Sequence, residues 1–237
     1  GNVTVVQNNF ENVKSILSDL GIDGIDGMLL DLGVSSFQLD NGDRGFSFHQ
    51  NAPLDMRMSK SGMSAADVVN NYSENELANV IFKYGEEKFS RRIEKNIVLA
   101  RQDKPIETTF ELVDIIKTSY PKAKMRDSHP ARKTFQAIRI EVNKELDVLK
   151  KGLKSALEIL NSKGRICVIT FNSLEDRIVK NIFKEVTFEG EGSRFLPLEK
   201  KDVDYHLVNR KVVLPSDKEM DENPRAKSAK LRIIERK

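Results

Sequence analysis

Gly27-Met-Leu-Leu-Asp-Leu-Gly-Val-Ser-Ser36-Phe-Gln38, followed closely by Arg44-Gly-Phe-Ser-Phe48 and Pro53-Leu-Asp-Met-Arg57, is an apolar run that empties into a polar, glycine-containing loop carrying aromatic rings. A short apolar run closed by turn residues has the pattern of a buried strand, here residues 25 to 31. In an open α/β sheet ligands sit in the crevice beyond the carboxyl ends of the strands, so Asp31 holds a contact position. Just upstream, residues 2 to 7 (Asn-Val-Thr-Val-Val-Gln) have strand composition, and Phe10, Val13, Ile16, Leu17 and Leu20 follow a helical period. Strand, helix and strand within about thirty residues predict a βαβ unit with parallel pairing and a right-handed crossover.

A second junction of the same build lies far downstream. Arg165-Ile-Cys-Val-Ile-Thr-Phe171 is nearly all apolar, the kind of strand covered by helices on both faces, and Asn172 and Ser173 sit at its carboxyl end. Ser173-Leu-Glu-Asp176 then predicts the cap of a helix running to about Phe183. Between the junctions the pattern is helical. Ser64 with Asp67, Ser73 with Glu76, and Thr108 with Glu111 each pair a hydroxyl with an acid three places on, the spacing at which both satisfy free N–H groups of a helix start. Tyr120-Pro121 and a charged turn reaching Pro130 close that stretch. A long helix from about Ala131 to Leu160 is expected, its stripe made of Phe135, Ile138, Val142, Leu146, Leu149, Leu153, Leu157 and Leu160 and its end marked by Lys163-Gly164. Residues 186 to 202 read as a loop, 205–208 with 211–214 as a hairpin about Asn209-Arg210, and 231–235 as a final edge strand. The expected division is an α/β domain over 1–58 and 131–237, interrupted by a helical substrate-recognition domain over 59–130.

Composition narrows the function classes. At 237 residues and 39% hydrophobic the chain can bury a core. The net charge of +3 amid 32% charged residues interleaves both signs, so attraction to nucleic acid has to be local. Cys167 is the single cysteine, which excludes an intrachain disulfide and argues against a cysteine-based zinc site; with it, a cytosolic (cytoplasmic) location fits. His49, His129 and His206 lack ligand spacing, so no metal is expected. No apolar run approaches the ~20 residues a bilayer requires, and no membrane partner is expected.

Taken in order, Leu29 to Ser36, Gln38-Leu, Arg44 to Phe48, Pro53 to Arg57, Tyr84-Gly-Glu86, His129-Pro-Ala-Arg132, Thr134-Phe-Gln-Ala137, Arg139-Ile140, Asn143, Ser173 to Arg177 and Asn223-Pro-Arg225 strongly resemble the RsmH (MraW) methyltransferases. The resemblance covers nearly the whole chain. It implies a Rossmann-like, class I methyltransferase that uses S-adenosyl-L-methionine (SAM), with an inserted helical domain. It also implies the reaction, methylation of N4 of a cytidine in the decoding region of bacterial 16S rRNA within the small ribosomal subunit, and leaves monomer or homodimer open. Members of the family carry a further leading segment with a Gly-x-Gly-Gly-His-Ser type loop, which has no counterpart before Asn2. The expectation is therefore that residues 1–237 alone bind SAM poorly, with a catalytically silent RNA-binding or assembly module as the alternative and DNA cytosine as a rival substrate. A second departure is Asn172, where the family usually shows histidine.

By resemblance Phe10, Asp31 and Gln38 map to cofactor contacts, Phe10 beside the adenine. Read without it, Phe10 is a core residue at a helix start and Asp31 a turn acid. Cytosine N4 is a weak nucleophile because its lone pair is delocalised, whereas the sulfonium methyl is already activated, so the protein must position and polarise. Asp31 and Asn172 are the candidates for holding the base. Phe46 and Phe48 either stack on bases or anchor their own loop; Arg44 and Arg57 either meet phosphate or pair with Asp43 and Asp55. Arg132, Gln136, Arg139 and Asn143, spaced four, three and four, form one polar ridge, which is either an RNA contact or a solvated helix face. Ser173 and Asp176 are assigned to capping, which leaves Asn172 for the base. Arg225, Lys227, Lys230, Arg232, Arg236 and Lys237 make a basic tail able to neutralise phosphates.

Overall fold

Strand β1 (Ile25–Asp31) lies parallel to β2 (Leu160–Thr170), with Met28 opposite Ile166 and Leu30 opposite Val168. On the other side of β2 runs β4 (Lys230–Arg236), antiparallel, and β3 (Tyr205–Leu207) pairs antiparallel with β4, giving the order β1-β2-β4-β3. The computed structural model describes residues 2–59, 61–121, 129–188 and 202–237. The α/β expectation therefore holds, with a mixed sheet. Two details differ from the sequence reading. The terminal strand is interior rather than an edge, and Tyr205–Leu207 pairs with it instead of with 211–214, from which only Val213 makes a bridge, to Leu231. A hairpin about residues 209–210 would satisfy one ladder; pairing with β4 extends a sheet that already has a buried face.

Chain alternation divides that sheet. Leu30, Ile166, Val168 and Ile234 share a core with Leu149, Leu153 and Leu157 of α8 (Glu145–Glu158) and Val179, Ile182 and Phe183 of α9 (Ser173–Val186). Leu29, at 66% exposed, and the half-buried Cys167 and Ile233 form a cross-strand row on the opposite face. Helical cover was expected on both faces; among the described residues the helices fill one. Residues 2–7 form no strand and are exposed, so the predicted leading βαβ unit is absent from this sheet. The helix predicted over residues 10–20 is a 3-10 turn, Phe10–Asn12, followed by α1 (Val13–Asp19).

The chain divides into two compact units, residues 1–33 with 146–237, and residues 34–145. The second holds α2 (Ser36–Asp40), α3 (Ala65–Asn71), α4 (Glu74–Gly85), α5 (Ser90–Asp103), α6 (Thr109–Thr118) and α7 (Ala131–Asn143). All three predicted capping boxes form, at Ser64/Asp67, Ser73/Glu76 and Thr108/Glu111. The expected boundaries at 58/59 and 130/131 fall inside this unit. Phe46, Leu54 and Met56 from before residue 59, and Phe135 and Ile138 from after 130, belong to its core. The single helix expected over 131–160 is broken at Lys144, whose φ is +50°. Its stripe is continuous in sequence yet serves two cores, Phe135 and Ile138 filling the second unit's and Leu149, Leu153 and Leu157 the first's. The charged turn before Pro130 and most of the 186–202 loop lie outside the described residues. Among the described residues no helix is long and apolar enough to cross a membrane, and no group of three His, Cys, Asp or Glu is gathered as metal ligands.

Candidate functional site

In the first unit, the parallel pair brings two predicted residues to one edge. Asp31 ends β1 opposite Ile169, the amide of Leu32 donates to the Ile169 carbonyl at 3.1 Å, and Asn172 follows two residues after β2 ends at Thr170. Asp31 is exposed and its carboxylate makes no hydrogen bond among the described residues. It is an uncommitted acid at the carboxyl end of a parallel strand, the place where α/β folds hold ligands.

Asn172 plays a part assigned beforehand to Ser173. It is the N-cap of α9, its Oδ1 accepting from the amides of Leu174 (3.0 Å) and Glu175 (2.9 Å), while Glu175 Oε2 accepts from Phe171 N (2.9 Å) and Asn172 N (3.3 Å). An extended residue directly before the first helical turn is where a side-chain oxygen reaches free N–H groups, and asparagine is among the best residues there. Its oxygen is thereby spent; its NH2 makes no hydrogen bond among the described residues. Asp176 is not a cap either. Burial raises its pKa, but the paired Arg232 guanidinium (2.7 and 3.2 Å) and Lys230 outweigh that and leave it below its ordinary value. Arg232 and Lys230 are thus drawn from the predicted basic tail into a fixed ion-pair network.

Phe10 is half-buried against α8, where Gly152 makes room for it. A Cβ on Gly152 would lie 2.4 Å from Phe10 Cδ2. Lys14–Glu158 (2.8 Å) and Lys151–Glu11 (3.5 Å) tie the same segment to α8. The ring is a packed residue at a helix start, as its periodicity alone predicts.

In the second unit, Gln38 completes the capping box of α2. Its Oε1 accepts from Ser35 N at 2.9 Å, and its own amide donates to Ser35 Oγ at 3.2 Å. Phe46, predicted as a stacking ring, is 6% exposed and sits in the core. Phe48 is half-buried, stacked on His129 (4.5 Å between centroids, 19°) and edge-on to Phe135. Loop anchoring wins for Phe46 because a ring beside Leu54 and Met56 has apolar area to bury. The aromatic that the sequence reading passed over is Phe37, 75% exposed on α2 while its neighbours Val34 and Leu39 pack inward. The 3.6-residue period signals it, since Phe37 falls off the face that Leu39 shares with the core.

Arg44 and Arg57 are held by their own loop. Arg44 donates to the carbonyls of Arg57 and Ser59 (2.9 Å for the latter), and Arg57 grips Asp55 through two bonds, 3.0 and 2.7 Å, while reaching the Gly62 carbonyl at 3.1 Å. Hydrogen bonding to Arg57 holds the Asp55 carboxyl below its ordinary pKa. The pairing predicted for Arg57 with Asp55 is present, and that between Arg44 and Asp43 is replaced by backbone carbonyls.

The polar ridge of α7 is largely spent on structure. Arg139 binds Glu145 through two bonds (2.8 and 2.9 Å), Gln136 Nε2 donates to the Tyr84 carbonyl (3.2 Å), and Asn143 bonds the backbone of Met56 and Met58. Arg132 is exposed, with no partner among the described residues. It alone keeps the character of a free cation. His129, which accepts from Ala131 N through Nδ1, is held below its ordinary pKa by burial, with His49 and Lys117 adding to the effect.

Residues 1–237 match the model of the MraW methylase family. Among curated proteins, "Ribosomal RNA small subunit methyltransferase H" of Clostridioides difficile (strain 630) is 53% identical over 238 residues, which is 99% of this chain and 76% of that protein. The proteins of that name from Brevibacillus brevis (50% identical, 99% of this chain, 76% of that protein) and Lactobacillus delbrueckii subsp. bulgaricus (52%, 98% and 75%) are similarly related.

Proposed function

The chain belongs to the MraW methylase family of SAM-dependent methyltransferases, and from that premise we propose that it methylates N4 of a cytidine in the decoding region of bacterial 16S rRNA. At the coarser level, SAM-dependent methylation of ribosomal RNA is what the family and the names of the relatives support. The observation that carries the reading is the open edge of the parallel pair, where the uncommitted Asp31 carboxylate stands beside the strand end that leads into Asn172.

SAM supplies an activated methyl group on a sulfonium centre. What the chain must add is placement. Asp31 suits either a hydroxyl or ammonium group of the cofactor or the N4–H of the base, since a free carboxylate accepts from each. Asn172, with its oxygen engaged by α9, keeps an NH2 that can donate to a ring nitrogen or carbonyl of cytosine. Placing a weak nucleophile against a reactive methyl is worth several orders of magnitude in rate without any proton-transfer group. Phe10 and Gln38 remain candidates for cofactor contact, and Arg132 and Phe37 are the exposed cation and ring best suited to RNA phosphate and base. Residues 1–237 contain no Gly-x-Gly-Gly-His-Ser loop, and weak SAM binding by this stretch on its own is part of the proposal.

The test supplies the full-length protein with methyl-labelled SAM and small ribosomal subunits, and identifies the labelled nucleoside by mass. N4-methylcytidine is the expected product, lost in Asp31→Ala; label on a different position, or on duplex DNA instead of the subunit, overturns the reading. Titrating SAM into residues 1–237 addresses the second part, which tight binding would refute.

A further inference from the structure

Residues 53–59 form neither helix nor strand, apart from a bridge at Pro53 to Thr108, yet they are among the most heavily fastened backbone of the second unit. At their centre Met56 has φ +57° and is fully buried. A side chain larger than hydrogen is unfavourable in that region, and such residues persist only where the surroundings over-determine them. Here the surroundings are three. Met56 N donates to the Arg44 carbonyl at 2.8 Å. Arg44 in turn donates to the Arg57 and Ser59 carbonyls. Asn143, the last residue of α7, spans the turn from the other side: its Nδ2 donates to the Met56 carbonyl (2.8 Å) and to the Arg139 carbonyl (2.9 Å), and its Oδ1 accepts from Met58 N (2.7 Å).

A carboxamide is the side chain that does this. It offers a donor and an acceptor on adjacent atoms, matching a carbonyl and an amide two residues apart; aspartate would face the Met56 carbonyl with a second acceptor, and alanine would leave both groups open. The same residue satisfies the α7 end through Arg139, so the loop is registered to the helix rather than merely covered. A loop whose strain is held by a dedicated side chain is one whose shape matters, because displacements of an ångström in a reacting assembly cost large factors in rate.

We propose that Asn143 is a positioning residue for methyl transfer, acting by holding the strained Met56 turn and through it the 53–59 loop. This rests on the methyltransferase reading above. It predicts a loss in turnover rather than in substrate binding, since Asn143 spends its polar atoms on the backbone.

Asn143→Asp and Asn143→Ala are made in the full-length protein and assayed on small ribosomal subunits with labelled SAM, alongside hydrogen exchange of the 54–59 amides. The expected result is a graded fall in kcat, tenfold or more for alanine and less for aspartate, with KM for subunit and for SAM changed less than threefold and exchange at Met56 and Met58 accelerated. Adding Met56→Gly, which removes the φ penalty, should shrink the kcat effect of Asn143→Ala at least threefold relative to its effect in the wild-type background, a comparison that holds even if both Met56→Gly proteins are less stable. Unchanged kcat, unchanged exchange, full additivity with Met56→Gly, or a rise in KM at constant kcat overturns the proposal. Absence of methylation by the wild-type protein defeats the functional reading instead, and is told apart by that control.

Discussion

Gly45 shows at a single residue how the loop after β1 is built. Its φ is +68°, and a Cβ there would stand 2.3 Å from the Pro53 carbonyl and 3.2 Å from Asp55 N. Both the dihedral and the approach require glycine, so the chain can turn between the buried Phe46 and the clamped Arg44. Gly45→Ala should destabilise the protein by about 3 kcal/mol, the sum of a left-handed penalty and a backbone overlap; a urea midpoint within error of the wild type would refute this. Side-chain roles at this scale were only partly legible in the sequence. Arg57 finding Asp55 was readable because the two are two residues apart. That Asn143 serves Met56 and Met58 was not, because the partners are 87 and 85 residues away and nothing local marks them.

Helix starts were legible as elements because a capping box is complete within four residues. Thr108 and Glu111 illustrate the electrostatics. Bonds from Lys104, first, and from the amides of Glu107 and Thr108 lower the Glu111 pKa from 4.5 to about 2. A carboxyl with a depressed folded-state pKa contributes stability that is present above its unfolded value and lost as pH falls through the folded one. Stability should therefore decline between about pH 4.5 and 2, and Glu111→Gln should make that decline shallower while lowering stability at pH 7, as read from urea unfolding at a series of pH values. An equal slope in variant and wild type would exclude the role. Asn172 is the instructive exception among the caps. Ser173 and Asp176 also fit a start motif, and the backbone decided between registers: Asn172 is extended at φ −134° and ψ 164°, so the helix begins one residue later than read.

On the scale of the whole molecule, two cores replace one. Ile97, Leu112 and Ile116 are fully buried in residues 34–145, and Leu153, Ile166 and Val168 in the remainder. Units with separate cores unfold with separate free energies. Calorimetry should show two components, with Ile97→Ala lowering one and Leu153→Ala the other, each by about 2–5 kcal/mol. A single transition displaced equally by both substitutions would show that the units melt as one.

By itself the sequence determined what depends on near neighbours and period: the apolar strands at 25–31 and 165–171, three capped helices, the acid at the end of β1, and the ordered motifs that carry the family. Burial and pairing over long separations were settled by the fold alone. The strand at 230–236 became interior because β3 had a ladder to join, the stripe over 131–160 broke because it filled two cores, and Phe46, Arg57 and Asn143 were taken by packing and backbone groups while Asp31 was left open. The physical reason is that a period states which face is apolar, whereas what that face meets, and which polar atoms remain unspent, is fixed only when distant segments compete for the same partners.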